Sequence, residues 1–188
     1  ILEIDVNGTD IEKDFTYTLP NITATDTSSI TLLFYCEDSN GKSVKRLIIF
    51  NVISSDDFLN ETTGHTMYSA NSGDHNAYDL LNGLPIYSSD STAHIYDVSD
   101  SLSNELSRRW NSYGYEFAVA SNLDYAHITS LILQNTYDAT IRKEFVDNIE
   151  VGDIIITLIN NTYVAIKMVY VIDDDGVAND RYVFNIKK

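Results

Sequence analysis

Hydrophobic and polar residues alternate in three stretches at the end of the chain, separated by two polar turns. The stretches 152–159, 163–172 and 181–187 predict three strands. Asn160 with Asn161, and the segment 173–180, predict the turns between them. Strands joined by short turns form an antiparallel meander. The first stretch is apolar at consecutive positions, which predicts a central strand covered on both faces. The residues expected in the core are Ile154, Ile156, Ile166, Phe184 and Ile186.

The first 55 residues alternate in the same way and predict four strands. Asn-Gly at positions 7–8 and the segment 38–41 carry hairpin-turn chemistry. The pair 30–37 and 44–52 resembles the last hairpin of an immunoglobulin-like or PKD-like β-sandwich. Such a sandwich needs about seven strands, so the resemblance implies an incomplete domain, and a compact four-stranded module is the alternative.

An incomplete sandwich leaves an apolar face or a strand edge uncovered. We therefore expect either further sequence before Ile1 or an intermolecular contact by the apolar side chains of this domain. The residues expected in such a contact are Leu2, Ile4, Phe15 and Leu32. The absence of Met at position 1 also predicts that the chain was trimmed.

Residues 56–188 mix strand and helix patterns and predict a second domain. The polar stretch to about residue 100 contains short apolar segments, which predict two or three short strands. Leu102, Leu106 and Trp110 recur every four positions and predict a helix over 101–110. A second helix is predicted over 125–135, with Asp124 as its N-cap, and a strand over 115–120 lies between the two. The predicted fold class is α+β, mainly antiparallel β, with one or two helices.

The charge balance excludes two classes of partner. Asp and Glu outnumber Lys and Arg by 28 to 12, which gives a formal net charge of −16. Nucleic acids and anionic membranes are bound chiefly through Lys and Arg, so this balance opposes both. The single cysteine, Cys36, excludes a disulfide framework, and its place on the apolar side of a strand predicts a buried thiol.

An acidic turn is the stronger of two candidate metal sites, because a zinc site at His65, Asp74 and His75 lacks the usual ligand spacing. The acidic turn admits two interpretations. Oxygen-rich loops bind Ca²⁺, but a solvated hairpin turn that protects a strand edge explains the same pattern, and Val171 stands where an EF-hand loop would carry an acid. No cofactor is therefore predicted, and calcium is the alternative. The carboxylates concerned are Asp173, Asp174, Asp175 and Asp180.

The aromatic residues supply the candidate binding site. The sequence has 13 tyrosines and one tryptophan, which suit either a sugar-stacking platform or sheet packing. No Gly-x-Ser-x-Gly elbow and no glycine-rich phosphate loop occurs, so no catalytic residue is assigned. The platform candidates are Tyr68, Tyr78, Tyr87, Tyr96 and Trp110.

The order of several segments resembles a known family. The segments 117–125, the helix after them, 151–156, 163–168 and 179–188 are similar to the C-terminal domain of surface lipoproteins from Bacteroides-type gut bacteria, over about residues 65–188. That family has a lipidated N-terminus, an immunoglobulin-like domain and then this β-rich module. The resemblance implies an extracytoplasmic address at the outer membrane or cell surface, with attachment only through an N-terminal lipid. The chain lacks the cysteine that would carry the lipid, and the family supplies no catalytic residues.

Together these features predict a non-catalytic, extracytoplasmic cell-surface module, accessory to glycan binding. The alternative is a structural or adhesive surface protein that pairs with another chain through an exposed β edge. A hydrolase of unknown substrate is the third hypothesis.

Overall fold

The computed structural model describes residues 28–38, 40–52, 58–174 and 176–188. The chain divides into two compact units, Ile1–Asp56 and Asp57–Lys188. The predicted strands before residue 20 and the predicted boundary after residue 55 lie outside the described residues.

The described part of the first unit is one antiparallel hairpin. Strand β1 (Ser28–Glu37) pairs with β2 (Ser43–Val52), and Leu33 lies opposite Leu47. The Asp38 carboxylate accepts the backbone N–H groups of Asn40 and Lys42, which closes the turn as the sequence predicts. The immunoglobulin-like assignment of this unit stays a prediction.

The hairpin exposes apolar side chains on both faces, because a two-stranded sheet cannot bury either face by itself. Leu33 and Leu47 share one face and are 60% and 61% exposed. Cys36 and Val44 lie opposite each other on the other face, and both are exposed. The prediction that Cys36 is buried is therefore wrong.

The second unit contains two five-stranded antiparallel sheets and one α-helix, so the predicted fold class, α+β and mainly antiparallel β, is confirmed. The first sheet has the order β3-β12-β11-β10-β8, and the second has the order β5-β4-β6-β7-β9. The strands are β3 (Glu61–Tyr68), β4 (Ala77–Asp79), β5 (Leu84–Ile86), β6 (Ile95–Asp97), β7 (Trp110–Ser112), β8 (Phe117–Val119), β9 (Phe145–Val146), β10 (Ile154–Ile159), β11 (Thr162–Ile172) and β12 (Arg181–Lys187), and the helix is α1 (Ser130–Ala139).

The predicted meander is confirmed as β10, β11 and β12, with all five expected core residues buried. Asn160 and Asn161 form the first turn with φ values of 48° and 66°. Asparagine tolerates this left-handed region better than most residues, which suits it to a two-residue hairpin turn.

The main core lies between the two sheets. It joins Ile155, Ile166 and Phe184 of the first sheet to Ile95 and Trp110 of the second. The opposite face of the first sheet is covered by α1, which buries Leu133 and Tyr137. One face of the second sheet therefore packs on the core, and its other face has no helix layer among the described elements.

The predicted helix over 101–110 is wrong. Leu102 is 93% exposed, and Trp110 begins β7. The backbone N–H of Leu102 is bound by the Asp100 carboxylate, and that of Glu105 by the Ser103 hydroxyl. Such local side-chain acceptors compete with helical hydrogen bonds and hold the segment as a series of turns.

The second predicted helix is displaced along the chain. Asp124 caps a short 3₁₀ turn, Tyr125–His127, and α1 then begins after the N-cap Thr129. Within α1, Leu133 and Tyr137 are buried, whereas Leu131 is exposed. The predicted strand over 115–120 is confirmed as β8.

Within the described residues, the structure has no helix whose length and apolar character would carry it across a membrane.

Candidate functional site

The outer face of the second sheet gathers aromatic and polar side chains from strands that are distant in sequence. Tyr96 of β6 lies opposite Asn111 of β7, and Asn111 lies opposite Phe145 of β9. Because side chains alternate along a strand, these residues lie on the side away from the core that their neighbours Ile95, Trp110 and Val146 fill.

Two tyrosine rings form the centre of this face. Tyr113 follows the end of β7, and its ring centroid lies 4.6 Å from that of Tyr96, with an interplanar angle of 34°. This contact places Tyr113 on the same side of the sheet as Tyr96. The hydroxyl of Tyr113 donates to the carbonyl oxygen of Ser88. Tyr113 is nevertheless 47% exposed. We define the outer face by Tyr96, Asn111 and Tyr113.

A buried carboxylate supports this face from the core side. Asp97 Oδ2 accepts the backbone N–H groups of Ala70 (2.8 Å) and Ser99 (2.9 Å). Asp97 Oδ1 accepts the hydroxyl protons of Tyr182 (2.9 Å) and Ser107 (3.1 Å). Four donors therefore hold β6 at the residue that follows Tyr96.

A cleft of about 300 Å³ is lined mainly by residues between the strands of the second sheet and by Asn160 of the β10–β11 turn. His94 lies two residues before Tyr96, and its ring packs against that of Tyr115 at 5.4 Å. The residues that line this His94 cleft are Asp79, Leu81, Asn82, Ser91, Thr92, Ala93, His94, Tyr115 and Asn160.

The hydrogen bonds of His94 determine which ring nitrogen carries a proton. The backbone N–H of Leu80 donates to Nδ1 at 3.2 Å, so Nδ1 is an acceptor and Nε2 carries the proton of the neutral ring. Burial lowers the pKa of His94 below its ordinary value, and this effect outweighs the Asp79 carboxylate, which raises the pKa. The ring is therefore neutral at pH 7.

The nearby Asp79 does not form a catalytic pair with His94. Its Oδ1 lies 3.4 Å from Nδ1, but Nδ1 has no proton to donate once it accepts from Leu80. Asp79 instead accepts hydrogen bonds from the backbone N–H groups of Leu81 and Asn82 and from the Asn82 amide. An imidazole with Nδ1 engaged and Nε2 protonated acts as a hydrogen-bond donor and not as a general base.

The predicted platform residues separate into three groups. Tyr96 lies on the outer face. Tyr87 is half exposed and its ring packs on that of His75, with 4.6 Å between the ring centroids. Tyr87 immediately precedes Ser88, whose carbonyl oxygen accepts the Tyr113 hydroxyl. Tyr68 lies half buried on β3 of the first sheet.

Tyr78 and Trp110 are core residues, so the prediction that they belong to an accessible platform is wrong. Trp110 packs edge-to-face on Tyr182 at 5.1 Å. Tyr78 donates to the carbonyl oxygen of Gly83 and accepts from His65, and burial raises its pKa to about 12.

Two carboxylates of the acidic turn, Asp173 and Asp180, have protein partners, although the second oxygen of Asp180 is buried without one. Asp173 accepts from the backbone N–H of Leu106 at 3.0 Å and lies 3.7 Å from the Arg108 guanidinium. Asp180 accepts from the backbone N–H of Asp174 at 3.0 Å. Asp175 lies outside the described residues. Among the described His, Cys, Asp and Glu side chains, no group of three or more could hold a metal ion.

A second concavity, of about 470 Å³, lies at the end of β8. No titratable side chain lines it, so it offers fewer chemical groups than the His94 cleft. Its lining residues are Val119, Ala120, Ser121, Asn122, Leu123 and Thr136.

Sequence reasoning missed Asn111, Tyr113 and Tyr115. The signal was present as alternation around Trp110, because Arg109, Asn111 and Tyr113 are polar or amphipathic while Trp110 is apolar. The helix predicted over 101–110 concealed that two-residue period.

No family model, curated protein or solved structure matches this chain. The resemblance to surface lipoproteins therefore remains a prediction.

Proposed function

We propose that this protein is a non-catalytic extracytoplasmic surface module that binds a glycan on the outer face of the second sheet, with the His94 cleft as a second contact region. The observation that supports this proposal is the pair of packed rings beside the Asn111 amide, formed by the partly buried Tyr96 and the half-exposed Tyr113. Aromatic rings stack on the apolar faces of sugars, and planar amides bind their hydroxyl groups. The surface location rests on the resemblance of residues 65–188 alone.

The His94 cleft supplies the polar contacts that this function needs. His94 offers one N–H donor at Nε2, for which the described residues supply no acceptor. Asn82, Ser91 and Thr92 add amide and hydroxyl groups to the same cleft. Neutral donors and acceptors on one wall and an aromatic ring on another are suited to a ligand rich in hydroxyl groups.

A glycan array probed with the full chain tests this proposal, followed by calorimetric titration of the glycans that bind. Tyr113→Ala is expected to weaken binding by roughly two- to tenfold, since an aromatic contact contributes about 0.5–1.5 kcal/mol. The matched control is Tyr170→Ala, which removes a 59% exposed tyrosine from the first sheet. Absence of binding to every glycan, or equal affinity of Tyr113→Ala and the unaltered chain, would contradict the proposal.

A second candidate function is pairing with another chain through the β1–β2 hairpin. The exposed Leu33 and Leu47 on one face, with Val44 on the other, support it, because apolar patches of this kind mark association surfaces. Light scattering of the full chain tests this function. A dimer that becomes a monomer in the Leu33→Lys/Leu47→Lys variant supports it, and a monomeric unaltered chain contradicts it.

A further inference from the structure

Two cations converge on one aromatic ring at the β9 edge of the second sheet. The guanidinium carbon of Arg109 lies 4.1 Å from the ring centroid of Phe145, and the ammonium of Lys143 lies 5.2 Å from it. Arg109 and Lys143 lie just outside β7 and β9, but both contact the ring of Phe145. Phe145 lies opposite Asn111, so these contacts place both cations on the same side of the sheet as the outer face. We call Arg109, Lys143 and Phe145 the cationic end.

Neither cation of this end is neutralised by a carboxylate among the described residues. The adjacent arginines in the sequence do have acidic partners. Arg108 lies 3.7 Å from Asp173, and Arg142 lies within 3.6 Å of Glu116 and Asp138. A second pair of cations, Lys167 and Lys187, lies over the Tyr125 ring on the first sheet, but the Lys187 ammonium donates to the carbonyl oxygen of Ala126. The cationic end is thus a pair of cations without an acidic partner among the described residues, in a chain whose net charge is −16.

Arg109 is also held in a fixed orientation. Its Nε donates to Asn111 Oδ1 at 3.2 Å, and its plane is supported by the Phe145 ring. These contacts leave the two terminal nitrogens without a hydrogen-bond partner among the described residues. A guanidinium fixed in this way binds a carboxylate through two parallel hydrogen bonds, with little conformational entropy left to lose.

We infer that the glycan bound on the outer face is acidic, and that the cationic end binds its carboxylate. This inference rests on the proposed glycan-binding function. Tyr96 and Phe145 lie two strands apart, which is roughly 10 Å. A ligand that stacks on the tyrosine pair and reaches the cationic end therefore extends over more than one sugar unit.

The test uses an array in which each acidic oligosaccharide stands beside its neutral counterpart. Oligogalacturonates are paired with their carboxyl-reduced forms, and sialylated glycans are paired with the same glycans after removal of sialic acid. The full chain is expected to bind at least one acidic member about tenfold more tightly than its counterpart. That preference is expected to shrink as salt is raised, because exposed charges are screened.

The variant Arg109→Gln/Lys143→Gln is expected to lower the affinity for the acidic member to that of its neutral counterpart. Arg181→Gln/Lys167→Gln is the control, because it makes the same change in net charge on the first sheet. Circular dichroism melting of each variant verifies that it is folded.

Three results would overturn the inference. Equal binding of acidic and neutral members overturns it while leaving the proposed glycan binding intact, and so does an acidic preference that survives in the Arg109→Gln/Lys143→Gln variant. Absence of binding to any glycan overturns both proposals together.

Discussion

Asp97 is expected to be the most sensitive polar residue of the second unit. In Asp97→Ala, the backbone N–H of Ser99 and the hydroxyl of Tyr182 lose their acceptor in a buried environment, and the N–H of Ala70 loses its acceptor in a partly buried one. A buried donor without a partner costs about 1–3 kcal/mol. The Ser107 hydroxyl reaches solvent and is discounted. We therefore expect a loss of about 3–5 kcal/mol in the free energy of unfolding, a large part of a domain's stability.

Asp97→Asn separates hydrogen-bond geometry from charge. The amide keeps one acceptor oxygen for the two backbone N–H groups, and the hydroxyls of Tyr182 and Ser107 can rotate to accept from its NH₂ group. The charge assistance of the hydrogen bonds and the acceptor for the Tyr182 hydroxyl proton are lost, so the expected cost is about 1–3 kcal/mol, below that of Asp97→Ala.

Urea unfolding followed by tryptophan fluorescence measures both effects. The single tryptophan, Trp110, is buried and packs 5.1 Å from Tyr182, so its emission reports on the unit that contains Asp97. Asp147→Ala, at an exposed aspartate, is the control and is expected to stay within about 0.5 kcal/mol of the unaltered chain. A cost below about 1 kcal/mol for Asp97→Ala, or equal costs for Asp97→Ala and Asp97→Asn, would refute the reasoning.

Four further outcomes are expected. Phe184→Ala should cost about 3–5 kcal/mol in the same urea titration, since Phe184 is buried among core aromatic rings; a cost under about 1 kcal/mol would contradict its core role. Burial lowers the pKa of His94 in the folded state, so the unfolded chain binds the extra proton and stability falls as pH drops below about 6.5. His94→Gln should reduce that slope in urea titrations between pH 5 and 7, and an unchanged slope would contradict the stated burial effect. Burial raises the pKa of Asp180 above 3.8, so the folded protein loses stability as the pH rises from 3.8 through the raised pKa. Asp180→Asn carries no charge to bury, so it should melt at a higher temperature than the unaltered chain at pH 7. EDTA should leave the melting temperature unchanged if the acidic turn holds no ion, whereas a rise on adding Ca²⁺ would favour the calcium interpretation.

The meander could be predicted because the sequence patterns that encode its strands and its first turn each lie within a short stretch of the chain. Strands β10 and β11 carry long apolar patterns, and Asn160 and Asn161 encode the turn between them. Each feature can be read within a short window of sequence, and the hairpin register follows from the turn.

The segment before β7 could not be predicted from apolar spacing alone. Leu102, Leu106 and Trp110 fit a helical period, yet only Leu106 and Trp110 are buried. The deciding contacts are side-chain acceptors such as Asp100 and Ser103, which bind nearby backbone N–H groups. A helical period states which residues would share a face, whereas these hydrogen bonds decide whether the backbone becomes helical at all.

The proposed site was hard to predict because it depends on pairings between very short strands. Strand β6 has three residues and β9 has two, so neither shows a full period of alternation. Tyr96, Asn111 and Phe145 become neighbours only when β6, β7 and β9 pair, and nothing within any one of the three strands encodes that pairing.

The aromatic candidates also show why residue type alone is a poor guide to a binding surface. The largest rings remove the most apolar area from water when they are buried, so Trp110 and Tyr78 stabilise the fold most as core residues. A tyrosine near a strand end has fewer neighbours to cover it, and Tyr113 remains accessible for that reason. In a sheet with one covered face, strand alternation then decides which ring can meet a ligand. Trp110 and Asn111 are adjacent in sequence and lie on opposite faces, so the core and the proposed glycan site are built from the same strand.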